Sequence, residues 1–366
     1  MTLPRTIADI PTPALLVDVA AMQRNIQRMA EFFAEGPCKL RPHFKAHKTP
    51  EIARRQLEAG SCAGLTCATV AEAEVAAEFC DDILIANQVI GADKAARVAE
   101  LARQVSITVA VDSGRGLDEI AAAASAAGSE VGVLVEVSIG FRCGVAPGEP
   151  ALALARRAAD TTGVSLRGLM GYEGHAVGLE DRASRETTTR AAVVDRLLPS
   201  VRLVREAGLP CDIVSAGGTG TFDITGRIEG VTEIQAGSYV LMDTAYARLG
   251  LPFEQALSLL GTVLSRPSAA MCVADCGHKS CTYDHGNPDV RDVEGASVVF
   301  LSDEHASISL PAGAPHQPGD RIQLWPSHVD PTINLHDVLY AVDGDTVVDV
   351  WPVSARGYAE QRQHGA

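Results

Sequence analysis

The stretch "DILIANQVIGADKAARVAELARQVSITVAV", residues 82–111, decides the fold class. It opens on a short apolar run, "DILIAN" (82–87), and closes on another, "SITVAV" (106–111). Between them lies an Ala-rich segment flecked with charge at helical spacing. Short β-branched runs joined by a helix of this length read as parallel strands with a crossover. Working outward, the same rhythm repeats. Strands are expected at "KLRPHF" (39–44), "AGLTCA" (63–68), "VGVLVEV" (131–137), "LRGLMGY" (166–172), "DIVSAG" (212–217) and "TEIQAG" (232–237). Eight strands alternating with helices predict an α/β fold, a closed (β/α)8 TIM barrel, with an open doubly wound sheet as the alternative. The segment 185–208 is a long helical stretch in which Pro199 is expected to introduce a kink.

From about residue 265 the rhythm changes. "AAMCVAD", "ASVVFLS", "HASISL", "DRIQLWP", "DVLYAV" and "TVVDVWPV" are short strands separated by Gly, Asp, Pro and Asn, which predicts an all-β second domain. The boundaries drawn are a barrel over 20–250 and a β-rich domain made of 1–19 and 251–366. Residues 8–20 precede the first barrel helix.

Composition narrows the function. Of 366 residues 46% are hydrophobic and 21% charged, an ordinary soluble enzyme. A net charge of −15 argues against nucleic acid or an anionic membrane as the main partner. No apolar run is long enough to span a bilayer, and the N-terminus lacks the apolar core of a secretory signal. Nine cysteines, none in a C-x-x-C pair, read as reduced thiols of a cytoplasmic chain.

The unusual residues fall at strand ends. Lys45 follows the first barrel strand, Asn87 ends the third, Arg142 follows the fifth in "SIGFRCG", and Tyr172 ends the sixth. "SAGGTGT" (215–221) follows the seventh and "QAGSY" (235–239) the eighth. In a barrel the C-terminal strand ends carry the chemistry, and the last two loops often bind phosphate. Gly217, Gly218, Thr219, Gly237 and Ser238 supply close backbone N–H groups and hydroxyls for that purpose. A strand-end lysine opposite such loops suits a Schiff base with pyridoxal 5′-phosphate (PLP). His43, His47 and Lys48 add neighbouring cations in sequence.

"TPALLVDVAAMQRNI", "RPHFKAHKTPEIA", "ILIANQVIG", "RCGV", "SAGGTGTF", "EIQAGSYVLMD" and "PSHVDPTINLHD" together resemble the fold-type III PLP enzymes. These have an alanine racemase-like barrel and a C-terminal β domain. Within them the chain resembles the D-threonine aldolase and D-serine dehydratase group. The resemblance covers about residues 10 to 353. It implies that Lys45 carries PLP. It also implies that Arg142 and Tyr172 lie by the cofactor, and that Ser215, Gly217, Gly218, Thr219, Gln235, Gly237, Ser238 and Tyr239 help to hold it. Phe44, beside the lysine, departs from the small residues usual there and is expected to reshape the pocket. Glu173 and His175, in "GYEGHA", receive no assignment.

His328 and Asp330 stand two apart in "PSHVDPTINLHD"; on a strand they share a face. The resemblance implies a divalent cation there. Asp330, where the dehydratases tend to have cysteine, favours the aldolase reaction and a harder ion, Mn²⁺ or Mg²⁺ over Zn²⁺. Cys276 and His278 form a rival pair with no further ligand near in sequence. The reading is a PLP- and metal-dependent lyase, with Lys45, His328 and Asp330 as catalytic residues, cleaving D-β-hydroxy-α-amino acids to glycine and an aldehyde. The alternatives are a D-serine or D-3-hydroxyaspartate dehydratase, a metal-free racemase and a non-catalytic PLP-binding protein. A homodimer acting on a small D-amino acid completes the expectation.

Overall fold

Strand β1 (Ala14–Asp18) precedes a run of eight parallel strands, β2 (Lys39–Leu40), β3 (Leu65–Cys67), β4 (Asp82–Gln88), β5 (Ser106–Val111), β6 (Val131–Glu136), β7 (Val164–Met170), β8 (Ile213–Ala216) and β9 (Glu233–Ile234). The structure, a computed structural model, describes residues 4–140 and 142–357, and no helix among them is long and apolar enough to cross a membrane. The eight strands pair in the order β2-β9-β8-β7-β6-β5-β4-β3. Parallel bridges Leu40↔Cys62 and His43↔Thr66 then join the first strand to the second, completing the circle of the expected barrel. Leu84, Ala86, Ala110, Leu134 and Met170, from four neighbouring strands, pack together as one buried cluster. All C-terminal strand ends therefore point the same way.

The chain divides into two compact units, residues 29–45 with 52–237, and residues 1–28 with 46–51 and 238–366. The barrel makes up the first. In the second, β1 lies between β10 (Leu257–Ser268), antiparallel, and β16 (Val338–Asp343), parallel. Its other strands are β11 (Met271–Ala274), β12 (Asp289–Val290), β13 (Ser297–Leu301), β14 (Ala306–Ser309), β15 (Arg321–Trp325) and β17 (Thr346–Pro352). β10 pairs with β1, β11 and β15, which explains why its first five residues are all buried.

The kink expected at Pro199 takes a specific form. A π-helical turn, Val193–Leu197, separates helices Arg182–Ala192 and Leu198–Glu206. Proline has no N–H and its ring crowds the carbonyl four residues back, so the ladder widens by one residue just before it.

Candidate active site

Lys45 stands on the short 3₁₀ turn Phe44–Ala46, two residues past the His43↔Thr66 bridge. Its side chain is exposed at the C-terminal rim of the barrel unit. Phe44 points the other way: it is fully buried, its ring edge-on to Phe79 at 6.1 Å. Phe44 therefore contributes to the core beneath the rim and not to its exposed surface. The turn alternates, so the bulky neighbour goes into the core and the amine to the rim. His43 is buried along the bridge. His47, in the other unit, is also buried, and its Nδ1 accepts from the Thr49 N–H at 3.2 Å. Asn87 donates to the Ala68 carbonyl at 3.1 Å, a role in the frame of the rim.

Arg142 reaches back from its loop to Glu136, the last residue of β6, at 2.9 Å. Gln88 at the end of β4 donates to the other oxygen of Glu136 at 2.5 Å. Glu136 is almost fully buried, so this pairing orients the guanidinium, which lies 5.8 Å from the Tyr172 ring centroid. The same ring covers Gly218: a Cβ there would sit 3.4 Å from Tyr172 Cε2. Arg142, Tyr172 and the glycine loop thus meet at one rim.

The loop after β8 is braced from below. Glu173 is fully buried and accepts from Gly217 N–H at 3.1 Å, Thr221 Oγ1 at 2.9 Å and Thr225 Oγ1 at 2.5 Å. Thr221 Oγ1 in turn accepts from Gly218 N–H at 3.3 Å. Gly217 has φ 78°, a left-handed conformation suited to glycine. Thr219 is buried in the same loop. Ser215, at the end of β8, accepts from Gln235 Nε2 at 2.8 Å. Gly237 is buried just beyond β9.

In the second unit the H-x-D stretch is not a strand. His328 is extended (φ −147°, ψ 119°) and caps the short helix Val329–Ile333, whose first turn contains Asp330. The premise that both face one side of a strand is corrected: the proline at 331 sits at the start of a helix, where its missing N–H costs nothing. Asp330 Oδ1 accepts from Ser238 Oγ at 3.3 Å. Tyr239 is buried, its ring 5.5 Å from that of Phe253. His328 gathers with Asp284 and His285, whose ligand atoms all lie within 4.8 Å of one another. Burial works against ionisation of Asp284, but the hydrogen bond and charge of His328 outweigh it and hold its carboxyl below the ordinary range. Burial and the repulsion of His328 hold His285 below its usual value. Asp243 is buried beneath this segment, accepting from Val329 N–H at 3.0 Å and Tyr246 N–H at 2.9 Å. Burial pushes its carboxyl up to about 6 against those two bonds. Cys276 is fully buried and its thiol is pushed up by that burial, while His278 pairs with Asp303 at 2.8 Å. That pair is no rival among the described residues.

A model of the alanine racemase N-terminal domain matches residues 17–245, and a model of a putative serine dehydratase domain matches residues 256–342. The chain belongs to the fold-type III PLP-dependent enzymes. It lies in the D-threonine aldolase group of this family: it is 39% identical over 361 residues to a D-threonine aldolase of Arthrobacter sp, spanning 96% of this chain and 94% of that one. The D-threonine aldolase of Filomicrobium marinum matches it in three dimensions with a TM-score of 0.94 at 38% identity, covering 98% and 99% of the two chains. The D-threo-3-hydroxyaspartate dehydratase of Delftia sp. HT23 matches with a TM-score of 0.88 at 28% identity, covering 97% and 100%.

Glu136, Gln88, Asp243, Asp284 and His285 were not reached from the sequence. The adjacent Asp-His of "TYDHGN" (282–287) is the signal that was there to find.

Proposed function

We propose that this fold-type III enzyme is a PLP- and divalent-cation-dependent lyase that cleaves D-β-hydroxy-α-amino acids to glycine and an aldehyde. The observation that carries the reading is Lys45 at the barrel rim, on the same face as a buttressed glycine loop, in a chain similar end to end to a D-threonine aldolase. The rim suits the cofactor. Lys45 offers the amine for covalent attachment, Gly217 and Gly218 allow close backbone approach for a phosphate with Thr219 beside them, and Arg142 with Tyr172 offers a cation and a ring beside it. Glu136 keeps Arg142 in one orientation, and Glu173 holds the loop in place through Gly217, Thr221 and Thr225.

When bound, PLP supplies an electron sink for the carbon–carbon bond that breaks, and the cation polarises the hydroxyl oxygen. His328 and Asp330 are the residues we assign to the cation. The donor set suits a divalent cation: a carboxylate in place of a thiolate leans toward Mn²⁺ or Mg²⁺, while the imidazole also accepts Zn²⁺. The hydroxyl proton needs an acceptor, and His175, half-buried on the turn that follows Tyr172, is our candidate. We further propose a homodimer, and a cytoplasmic location in keeping with the free cysteines.

Similarity to a 3-hydroxyaspartate dehydratase supports a second reading, elimination of water followed by hydrolysis of the resulting imine, with net release of ammonia and a 2-oxo acid. One experiment separates them. Purified protein is incubated with D- and L-threonine, D-serine and D-3-hydroxyaspartate, with Mn²⁺ or with EDTA, and the products identified. Glycine plus aldehyde from the D-isomers, abolished by EDTA, is expected. A 2-oxo acid plus ammonia makes it a dehydratase. Racemisation unaffected by EDTA sinks both, and no turnover of any amino acid leaves the non-catalytic PLP-binding protein.

A further inference from the structure

His328 has two ring nitrogens, and one is already engaged. Its Nδ1 lies 2.6 Å from Asp284 Oδ2. The Asp284 carboxylate has no proton to give, so the hydrogen in this bond belongs to Nδ1. Two ligands of one ion, each ~2.1 Å from it and at right angles, would stand ~3 Å apart. A separation of 2.6 Å is that of a charge-assisted hydrogen bond instead. In the neutral ring the lone pair is therefore on Nε2, the form a metal ligand must take. His285 stacks on the same ring, centroids 4.0 Å apart and planes 8° from parallel. An imidazole binds a metal along its lone pair, in the ring plane. Two planes so nearly parallel do not meet at a shared ion, so His285 buttresses the ring instead of sharing its ligand role.

We infer that Asp284 is a positioning residue: it holds His328 with the proton on Nδ1 and commits Nε2 to the divalent cation, while the His285 ring fixes the plane. The inference rests on the proposed assignment of the cation to His328. It extends that assignment to a carboxylate–histidine pair of the kind that raises ligand basicity and fixes orientation.

Two measurements test it, both independent of turnover. In the metal-free holoenzyme with ¹⁵N-labelled histidine, at a pH high enough for the ring to be neutral, the His328 signals, identified by their loss in His328→Gln, should show a protonated Nδ1 and a bare Nε2. Asp284→Ala should abolish that preference. Titration with Mn²⁺, followed by the EPR signal of the free ion, should then show affinity falling about 10–100-fold in Asp284→Ala. Asp284→Asn, which still accepts from Nδ1–H without the charge, should lie between Asp284→Ala and the parent. His285→Phe, which keeps a stacked ring, should stay within a few-fold of the parent. Unchanged Mn²⁺ affinity in Asp284→Ala overturns the inference, as does a neutral His328 ring with its proton on Nε2. A loss in His285→Phe as large as in Asp284→Ala also overturns it, by making His285 a ligand. If the parent enzyme itself takes up no Mn²⁺, it is the metal-dependent function that fails.

Discussion

Glu173 is a carboxylate with no route to water, and three donors converge on it from the loop after β8 and the short helix that follows, Phe222–Thr225. Leaving those donors unsatisfied costs ~1–3 kcal/mol each. We expect Glu173→Ala to lower PLP affinity by at least about tenfold, read as cofactor lost on dialysis. Glu173→Gln should be milder, because the two threonine hydroxyls are free to turn and accept from the amide. Equal retention of PLP by Glu173→Ala would remove Glu173 as the brace. Lys45→Ala should lose the covalent cofactor, and borohydride reduction of the parent should tag Lys45; a tag on another lysine refutes the assignment. Asp330→Ala should cut turnover far more than PLP content, whereas full activity in EDTA would end the metal-assisted reading. Lys45 was legible in the sequence because its position follows from one strand end. Glu173 and Asp284 were not, because their partners lie 44 or more residues away. Nothing local distinguishes a buried bracing carboxylate from a solvated one.

Elements were legible wherever apolar runs had clean edges, and six of the short C-terminal runs are strands in the structure. β10 was missed because "LSLLGTVL" is apolar on both faces, a pattern that strand and buried helix share. The H-x-D segment failed for the opposite reason: a five-residue helix is too short to show a period. One interaction ties the barrel strands at their N-terminal side. Arg41, 3% exposed, bridges Glu233 at the start of β9 (2.9 Å) and Asp82 at the start of β4 (2.8 Å). Gly64 admits this, since a Cβ there would sit 2.6 Å from Arg41 Nη1. Removing the arginine strands Glu233, itself only 4% exposed. Arg41→Ala is therefore expected to destabilise the protein by ~3–5 kcal/mol in urea unfolding. Arg41→Met combined with Glu233→Leu should lose much less, because no unpaired charge is left buried. If the double variant is as unstable as the single, desolvation of Glu233 is not the cause.

At the scale of the whole molecule the chain crosses between its two units four times, at residues 28/29, 45/46, 51/52 and 237/238. A contiguous cut therefore cannot liberate either unit intact. The division anticipated from sequence, 20–250 against 1–19 with 251–366, already grouped the N-terminal strand with the C-terminal domain; the compact units differ from it at residues 20–28, 46–51 and 238–250, where strand–helix rhythm carries no information on which unit a segment joins. β1 is buried along four of its five residues and separates β10 from β16, pairing antiparallel with one and parallel with the other. Without it, both central strands would present unpaired edges flanked by apolar residues, a state prone to aggregation. Residues 238–366 expressed alone should consequently lack a cooperative urea transition. A rearranged chain in which a flexible linker joins residue 366 to residues 1–28 restores the missing strand, and should recover β-sheet circular dichroism and a cooperative transition. Leu16, 1% exposed at the centre of β1, provides the control: Leu16→Asp in the rearranged chain places a charge in the sheet's apolar layer and should abolish the recovery. If 238–366 folds cooperatively by itself, β1 is an accessory to this sheet and not its central strand.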